Sequence, residues 1–236
     1  AIYFAFQIYY DFSGYSDIAI GTSKLFGFEL MSNFKFPYFS RNIGEFWRRW
    51  HISLSTWFRD YLYIPLGGSK DGKLESIRNI FIIFIVSGFW HGANWTFIVW
   101  GLFHSILFLP SFIFNTNRKY ITSIIGENTL LPTLKEFLQV GITFISVTIG
   151  WVFFRSETIG DSLNYIIQMI FHLDIPSYLR FNLLLIFSFI PIEYLVRKNE
   201  RLDNIRFPLD WVLYTFLIVY ILENFSGHSN FIYFQF

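Results

Sequence analysis

The 236 residues contain no cysteine. That excludes a disulfide framework, cysteine-ligated zinc and a thiol nucleophile, while leaving the compartment open. Charge is scarce as well, because Asp, Glu, Lys and Arg make up 15% of the chain against roughly 25% in ordinary soluble domains. The net charge of +1 offers no basic face of the size that nucleic acid requires, and no counter-charge for a strongly acidic partner. A charged segment ahead of the apolar opening Ile2-Tyr3-Phe4-Ala5-Phe6 is missing too, so the start does not have the form of a signal peptide. Ala1 falls directly on an apolar run without an initiator methionine. The expectation is one membrane-embedded region over 1–236, forming the C-terminal part of a longer chain. No G-x-S-x-G serine elbow occurs, and no two histidines stand four apart as in a zinc helix, so no metal site is expected. Gly67, Gly72 and Lys73 satisfy a P-loop spacing, but Leu74 stands where Ser or Thr is needed and no strand precedes it, which makes the match a chance one.

What is present is apolar and aromatic. Hydrophobic residues reach 53% and aromatics 23%, the profile of a membrane protein in which Phe, Tyr and Trp fill bilayer packing and interfacial belts. The predicted fold class is all-α, a polytopic transmembrane helical bundle with short or re-entrant helices. Residues 1 to 30 are apolar but broken by Asp11, Ser13, Gly14, Ser16 and Asp17, which must face protein or water. Residues 31 to 43, with Pro37, are expected as a loop at the membrane surface. One charged aromatic helix is expected from Ile43 to Ile64, stopped by Pro65 and Gly67-Gly68. Ile77 to Trp90 is too short to cross a hydrocarbon core of ~30 Å. His91 is therefore expected at a bend before the next apolar run, Asn94 to Leu109. Further spans are expected over Phe137 to Phe154, Phe181 to Val196 with a kink at Pro191, and Leu209 to Leu222. Arg197, Lys198, Arg201 and Arg206 form the densest basic loop, which places that side in the cytoplasm, and Lys70, Lys73 and Arg78 point weakly to the same side.

Two histidines stand out in these surroundings. His91 lies within Ser87-Gly88-Phe89-Trp90-His91-Gly92-Ala93-Asn94-Trp95, and an imidazole at membrane depth marks a functional site by default. Gly88 and Gly92 permit close approach of backbone or ligand, and the flanking tryptophans can wall a pocket. His51 lies in Glu45-Phe46-Trp47-Arg48-Arg49-Trp50-His51-Ile52-Ser53-Leu54-Ser55. At about 100° per residue, Arg48, His51, Ser55 and Arg59 fall within one arc with Glu45 at its edge, while Trp47, Trp50, Leu54, Trp57 and Tyr61 occupy the other side. Such a helix suits an interfacial position; its arginines and histidine equally suit a water-filled pocket or a phosphate-bearing anion. His104 faces a smooth apolar helix and is expected to be structural. His172 and His228 carry no supporting pattern. Asn94-Trp95-Thr96 and Asn224-Phe225-Ser226 fit the glycosylation pattern by chance.

Several long runs taken together resemble a known family. Tyr10-Asp11-Phe12-Ser13-Gly14-Tyr15-Ser16-Asp17, Phe46 to Ser55, Phe58-Arg59-Asp60-Tyr61-Leu62-Tyr63-Ile64-Pro65-Leu66-Gly67-Gly68, Trp90-His91-Gly92 and the closing Phe231 to Phe236 are similar to the membrane-bound O-acyltransferase family. Within it they resemble the branch of alginate O-acetylation, over nearly the whole chain, and members are about twice as long. The resemblance implies transfer of an acyl group, acetyl in that branch, from a cytoplasmic acyl-CoA or acyl-carrier thioester to a hydroxyl of an exported or cell-envelope polysaccharide. It implies a multi-pass protein of the cytoplasmic (inner) membrane embedded in the lipid bilayer, with no permanently bound cofactor and an extracytoplasmic acyltransferase partner protein. The catalytic histidine of the family matches His91, and its second marked histidine matches His51. Arg48, Arg49, Ser55, Arg59, Asp60, Trp90, Asn94, Asp11 and Asp17 make up the candidate substrate- and donor-binding set. A neutral imidazole can take the proton of an attacking sugar hydroxyl, and apolar burial of His91 would favour the neutral form. His51, Arg48 or Asn94 would then polarise the acyl carbonyl or orient the base. D-alanyl transfer to teichoic acid, and a transporter that uses the same intramembrane histidine and arginines, remain as alternatives.

Overall fold

A computed structural model describes residues 1–127, 129–172 and 189–198, together with 215, 218, 219 and 222. Among these residues the chain is helical and contains no strand. The helices are α1 (Ile2–Leu25), α2 (Ile43–Arg49), α3 (Ile52–Phe58), α4 (Lys73–His91), α5 (Trp95–Ile113), α6 (Leu134–Arg155) and α7 (Ile159–Phe171). Helices α5 and α6 are long and apolar enough to cross a membrane. α6 turns Leu138, Ile142 and Ile145 outward, an apolar stripe at helical spacing that suits a lipid-facing surface. Pro191 falls inside a described helical stretch, 189–196. The first half of the span expected over Phe181 to Val196, most of that expected over Leu209 to Leu222, and Arg201, Arg206, Asn224, His228 and Phe231 to Phe236 lie outside the described residues.

Three expectations need correction. The single helix expected over Ile43 to Ile64 is divided into α2, α3 and a π-helical turn, Arg59–Tyr63. The division falls at Trp50-His51, where His51 adopts a left-handed backbone (φ 43°, ψ 57°). This conformation is sparsely populated for non-glycine residues and persists where surrounding contacts impose it. Residues 31 to 43 do not form a surface loop, since Phe34, Pro37, Tyr38, Ser40 and Arg41 are buried. Their backbone is tied to the division, with Lys35 N donating to Arg49 O and Ile52 N to Asn33 O, each at 3.0 Å. Helix α4 is longer than the expected apolar run, because a polar first turn, Lys73 to Ser76, precedes it. It does end at His91, with Gly92 as cap, so the break expected there is present. The amphipathic helix α7, capped by Thr158 onto the Asp161 amide, was not anticipated.

Aromatic residues fill the core. Phe6, Tyr9 and Phe12 of α1 meet Phe34, Tyr38, Phe46, Trp50, Phe97, Trp100, Trp151 and Phe154, and many of these pairs are edge-on at 5–6 Å, an arrangement favoured by the ring quadrupole. Against this core α4 and α5 form a tight antiparallel hairpin. A Cβ at Gly88 would collide with the Phe97 carbonyl oxygen, and one at Gly101 with the Phe84 carbonyl oxygen. Because the obstruction is backbone, it cannot rotate away. Gly88→Val is therefore expected to cost at least the ~1–3 kcal/mol of an overpacked core, lowering the melting temperature of the detergent-solubilised protein. Gly14→Ala, with nothing within 4 Å of the added carbon, should be neutral or mildly stabilising, and a similar loss in both variants would contradict the hairpin packing.

Candidate active site

One face of α4 forms a wall. Lys73, Ser76, Ile80, Ile83, Ser87 and His91 recur at helical spacing, and all six line a cavity of about 710 Å3. Eighteen residues separate Lys73 from His91, which at 1.5 Å per residue is about 27 Å. The cavity is accordingly long. At the Lys73 end the lining is polar and basic: Arg59, Lys70, Lys73, Asn115, Asn117 and Arg118. Buried Asn79 steadies this end by donating to Leu66 O (3.1 Å) and Gly68 O (3.2 Å), which ties the Gly67-Gly68 turn to α4. At the other end the walls are rings from α2, α5 and α6, namely Trp50, Trp100, Trp151 and Phe154.

His51 and His91 both face this cavity, within electrostatic reach of each other. Trp100 and Phe154 meet the His91 ring edge-on at 5.3 and 5.0 Å. Gly92 leaves room for Phe97, whose ring would stand 2.6 Å from a Cβ at that position. Only Gly92 separates His91 from the exposed residues Ala93, Asn94 and Trp95. His51 packs edge-on against Phe12 at 4.7 Å, and burial pushes its imidazole down to about 4 by disfavouring the cation. The Ser53 hydroxyl donates to Asn33 Oδ1 at 2.6 Å, and its Oγ lies 3.4 Å from His51 Nδ1, so the tautomer in which Nδ1 carries the proton suits this contact. Asn33 Oδ1 also accepts from the Ser53 amide (3.2 Å), capping α3 from outside the helix.

Of the residues expected at a site, His91, His51, Arg48, Ser55 and Arg59 come together on the cavity. Arg48 is held by the carbonyls of Asn117 and Tyr120. The others lie elsewhere. Arg49 pairs with buried Glu45 at 2.8 Å. Asp60 is exposed and pairs with Arg59 at 2.7 Å. Trp90 is half-exposed with its ring on His91 at 5.0 Å. Asn94 is the N-cap of α5, accepting from Thr96 N (3.1 Å) and donating to Glu157 O (3.0 Å), and it does not line the cavity. Asp11 and Asp17 stay outside the lining because α1 turns Phe6, Tyr9 and Phe12 inward and touches the cavity only through Ile8. His104 is fully buried, boxed by Trp47, Trp100, Phe103 and Trp151, and does not line the cavity. His172 caps the end of α7.

The sequence reading missed the ring walls Trp100, Trp151 and Phe154, and it weighed Lys70 only for topology and Lys73 only for topology and the rejected P-loop match. Ser76 and Ser87, in register with Lys73 and His91 on α4, were the available signal. Among the described residues no three His, Asp or Glu side chains gather as a metal site.

A two-histidine cavity between a basic mouth and a helix break, in an all-helical and strongly apolar chain, defines the setting in which sequence relatives can be weighed. The profile of the membrane-bound O-acyltransferase family matches residues 2–122, over half of the chain, and the protein belongs to that family. It is 48% identical over 159 residues to the probable alginate O-acetylase of Pseudomonas syringae, an alignment covering 67% of this chain and 28% of that protein. It is 42% identical over 167 residues to the peptidoglycan O-acetyltransferase of Helicobacter pylori, covering 71% and 30%. With the teichoic acid D-alanyltransferase of Bacillus subtilis it shares 33% over 164 residues, covering 65% and 40%. The aligned part thus spans less than half of each of these relatives.

Proposed function

We propose that this chain forms the reaction chamber of a membrane O-acyltransferase that moves an acetyl group from a cytoplasmic thioester donor to a hydroxyl of a cell-envelope polysaccharide. One observation carries the reading: a single cavity runs along α4 from a cluster of cations to a pair of histidines. The basic end faces the cytoplasm by the positive-inside tendency. There the phosphates of an acyl-CoA or acyl carrier meet Lys70, Lys73, Arg59 and Arg118, with the N-terminus of α4 adding its own partial positive charge. The donor's thin arm then lies along the cavity and brings its thioester to the histidines, while the acceptor hydroxyl arrives from the opposite side across the short turn at Gly92.

His91 accepts the hydroxyl proton as the oxygen attacks the thioester carbonyl. The new C–O bond forms, the C–S bond breaks, and the proton passes to the departing thiolate. His51, whose Nδ1 stands beside the Ser53 hydroxyl, positions the hydroxyl or the base. The rings around the cavity exclude water, which would otherwise compete for the thioester.

Acetyl is favoured over D-alanyl because the acetylase and acetyltransferase relatives stand at 48% and 42% identity and the D-alanyltransferase at 33%. The test is to reconstitute the full-length protein in liposomes with an acetyl thioester donor. Acetyl esters on an acceptor polysaccharide supplied on the far side are expected, whereas passage of the donor or of acetate without ester formation would instead mark a transporter. The same assay separates the histidines. His51→Ala should lower the rate about 10–100-fold, below the range of a general base itself, while His104→Ala should lose stability but keep most activity per folded molecule. Equal losses in the two variants would remove His51 from the site.

A further inference from the structure

A second pocket lies across Arg48 from the main cavity, which has no other cation in common with it. It measures about 310 Å3 and draws five cations from three parts of the chain: Lys35 before α2, Arg48 and Arg49 on α2, and Arg197 and Lys198 at the end of the helical stretch 189–196. Among the described residues, none that lines it is acidic. In a chain with 15% charged residues and a net charge of +1, this is an uncommon concentration of one sign.

Of the three guanidiniums, Arg49 meets a carboxylate from behind, while Arg48 and Arg197 meet carbonyls. Glu45 and Glu136 together answer Arg41 and Arg49, with ion pairs of 2.8 to 3.2 Å. Arg48 and Arg197 are held by peptide carbonyls, Arg197 by those of Ile125, Gly126 and Tyr194 at 2.6 to 2.7 Å. Carbonyl dipoles orient a guanidinium without cancelling its charge, and Arg197 is only 7% exposed. Its Nη2 also donates to Thr129 O at 3.3 Å, so four of its five N–H donors meet carbonyls, and Arg197 acts on an anion in the pocket chiefly through its charge. Thr122 and Ser123 add hydroxyl groups along the same lining. The pocket shares the end of the molecule with Lys70, Lys73 and the α5–α6 connection, where phosphate headgroups would stand if α5 and α6 cross the bilayer, and basic pockets at that depth hold anionic headgroups.

We infer that this pocket is a second anion site, specific for a phosphate group and separate from the mouth of the main cavity. Its ligand is either the headgroup of an anionic phospholipid or a soluble phosphate ester. The inference does not depend on the acyl-transfer reading.

The experiment compares full-length parent protein with the double variant Lys35→Gln/Lys198→Gln, whose side chains are partly exposed and leave the Glu45 network intact. Each is incubated with phosphatidylglycerol or phosphatidylcholine vesicles, repurified, and assayed for bound lipid by native mass spectrometry; pyrophosphate binding is titrated separately by its effect on thermal melting. The parent should retain phosphatidylglycerol over phosphatidylcholine, or bind pyrophosphate, and the variant should bind that species at least about tenfold more weakly. Loss in the lipid arm alone assigns a headgroup, and loss in the pyrophosphate arm assigns a soluble phosphate. If the double variant does not fold, Lys198→Gln alone and displacement of retained lipid by pyrophosphate serve in its place. A parent that binds neither probe, or variants that bind both as well as the parent, would overturn the inference.

Discussion

Replacing His91 with alanine is expected to reduce acyl transfer by about 10²–10⁴-fold, the usual contribution of a positioned general base, while membrane insertion and melting temperature stay close to those of the parent. The ring touches Trp100 and Phe154 edge-on and shares the cavity with His51, so its loss enlarges a space that already exists instead of opening a new void in packed core. That separates a chemical role from a structural one: an imidazole that merely packed would cost stability before activity. His91→Gln, which keeps a polar side chain of similar length but cannot take the proton, should be as inactive as His91→Ala. A variant that still placed acetyl groups on exported polysaccharide at the parental rate would remove His91 as the base and leave the basic cavity without an assigned chemistry.

His91 was legible because charge is so scarce that an imidazole beside glycine in an apolar run has few structural explanations, and His51 because it shares an arc with arginines in a chain poor in charge. Their meeting in one cavity was legible only in part. The arc through Arg48, His51, Ser55 and Arg59 assumed one continuous helix, and that helix does not exist, yet all four residues line the cavity. A break at Trp50-His51 leaves the amphipathic pattern of each half intact, and nothing in residue identity announces a left-handed histidine. Asn33, Ser53 and the loop before α2 impose it through hydrogen bonds that join residues up to twenty apart. The same reasoning explains the loop over 31 to 43. Its polar composition suggested a surface, but Arg41 and Ser40 are satisfied inside the protein, the latter by Pro37 O at 2.6 Å. The aromatic walls were the least legible part. In a chain with 23% aromatic residues, periodicity cannot distinguish the ring that borders a cavity from those that face lipid or core.

Glu45→Ala is expected to cause the largest loss of stability of any substitution considered, about 3–5 kcal/mol, the cost of removing one partner from a buried ion pair. Glu45 is wholly buried. Its Oε1 accepts from Arg41 Nη2 at 3.0 Å and Arg49 Nη2 at 2.8 Å, and its Oε2 accepts from the Arg41 amide at 2.8 Å and Nε at 3.1 Å. Without the carboxylate, two guanidiniums stay inside with one remaining carboxylate between them, Glu136, which reaches only Arg41 at 3.2 Å. Glu136 also closes the capping box of α6 with Thr133, so the network ties α2 to the start of α6 and fixes the register of Arg48 and His51 against the cavity wall. Activity should therefore fall together with stability, in contrast to His91→Ala. Glu45→Gln preserves the shape and one accepting oxygen and should be milder, though still destabilising, because a neutral amide cannot balance two cations and its NH2 group faces guanidinium donors. Melting curves of the solubilised full-length protein, read beside the rate per folded molecule, check both results. A Glu45→Ala protein that melts with the parent would mean that the two arginines find anions elsewhere, and that α2 is held in place by its aromatic face, Phe46 and Trp50, without help from charge.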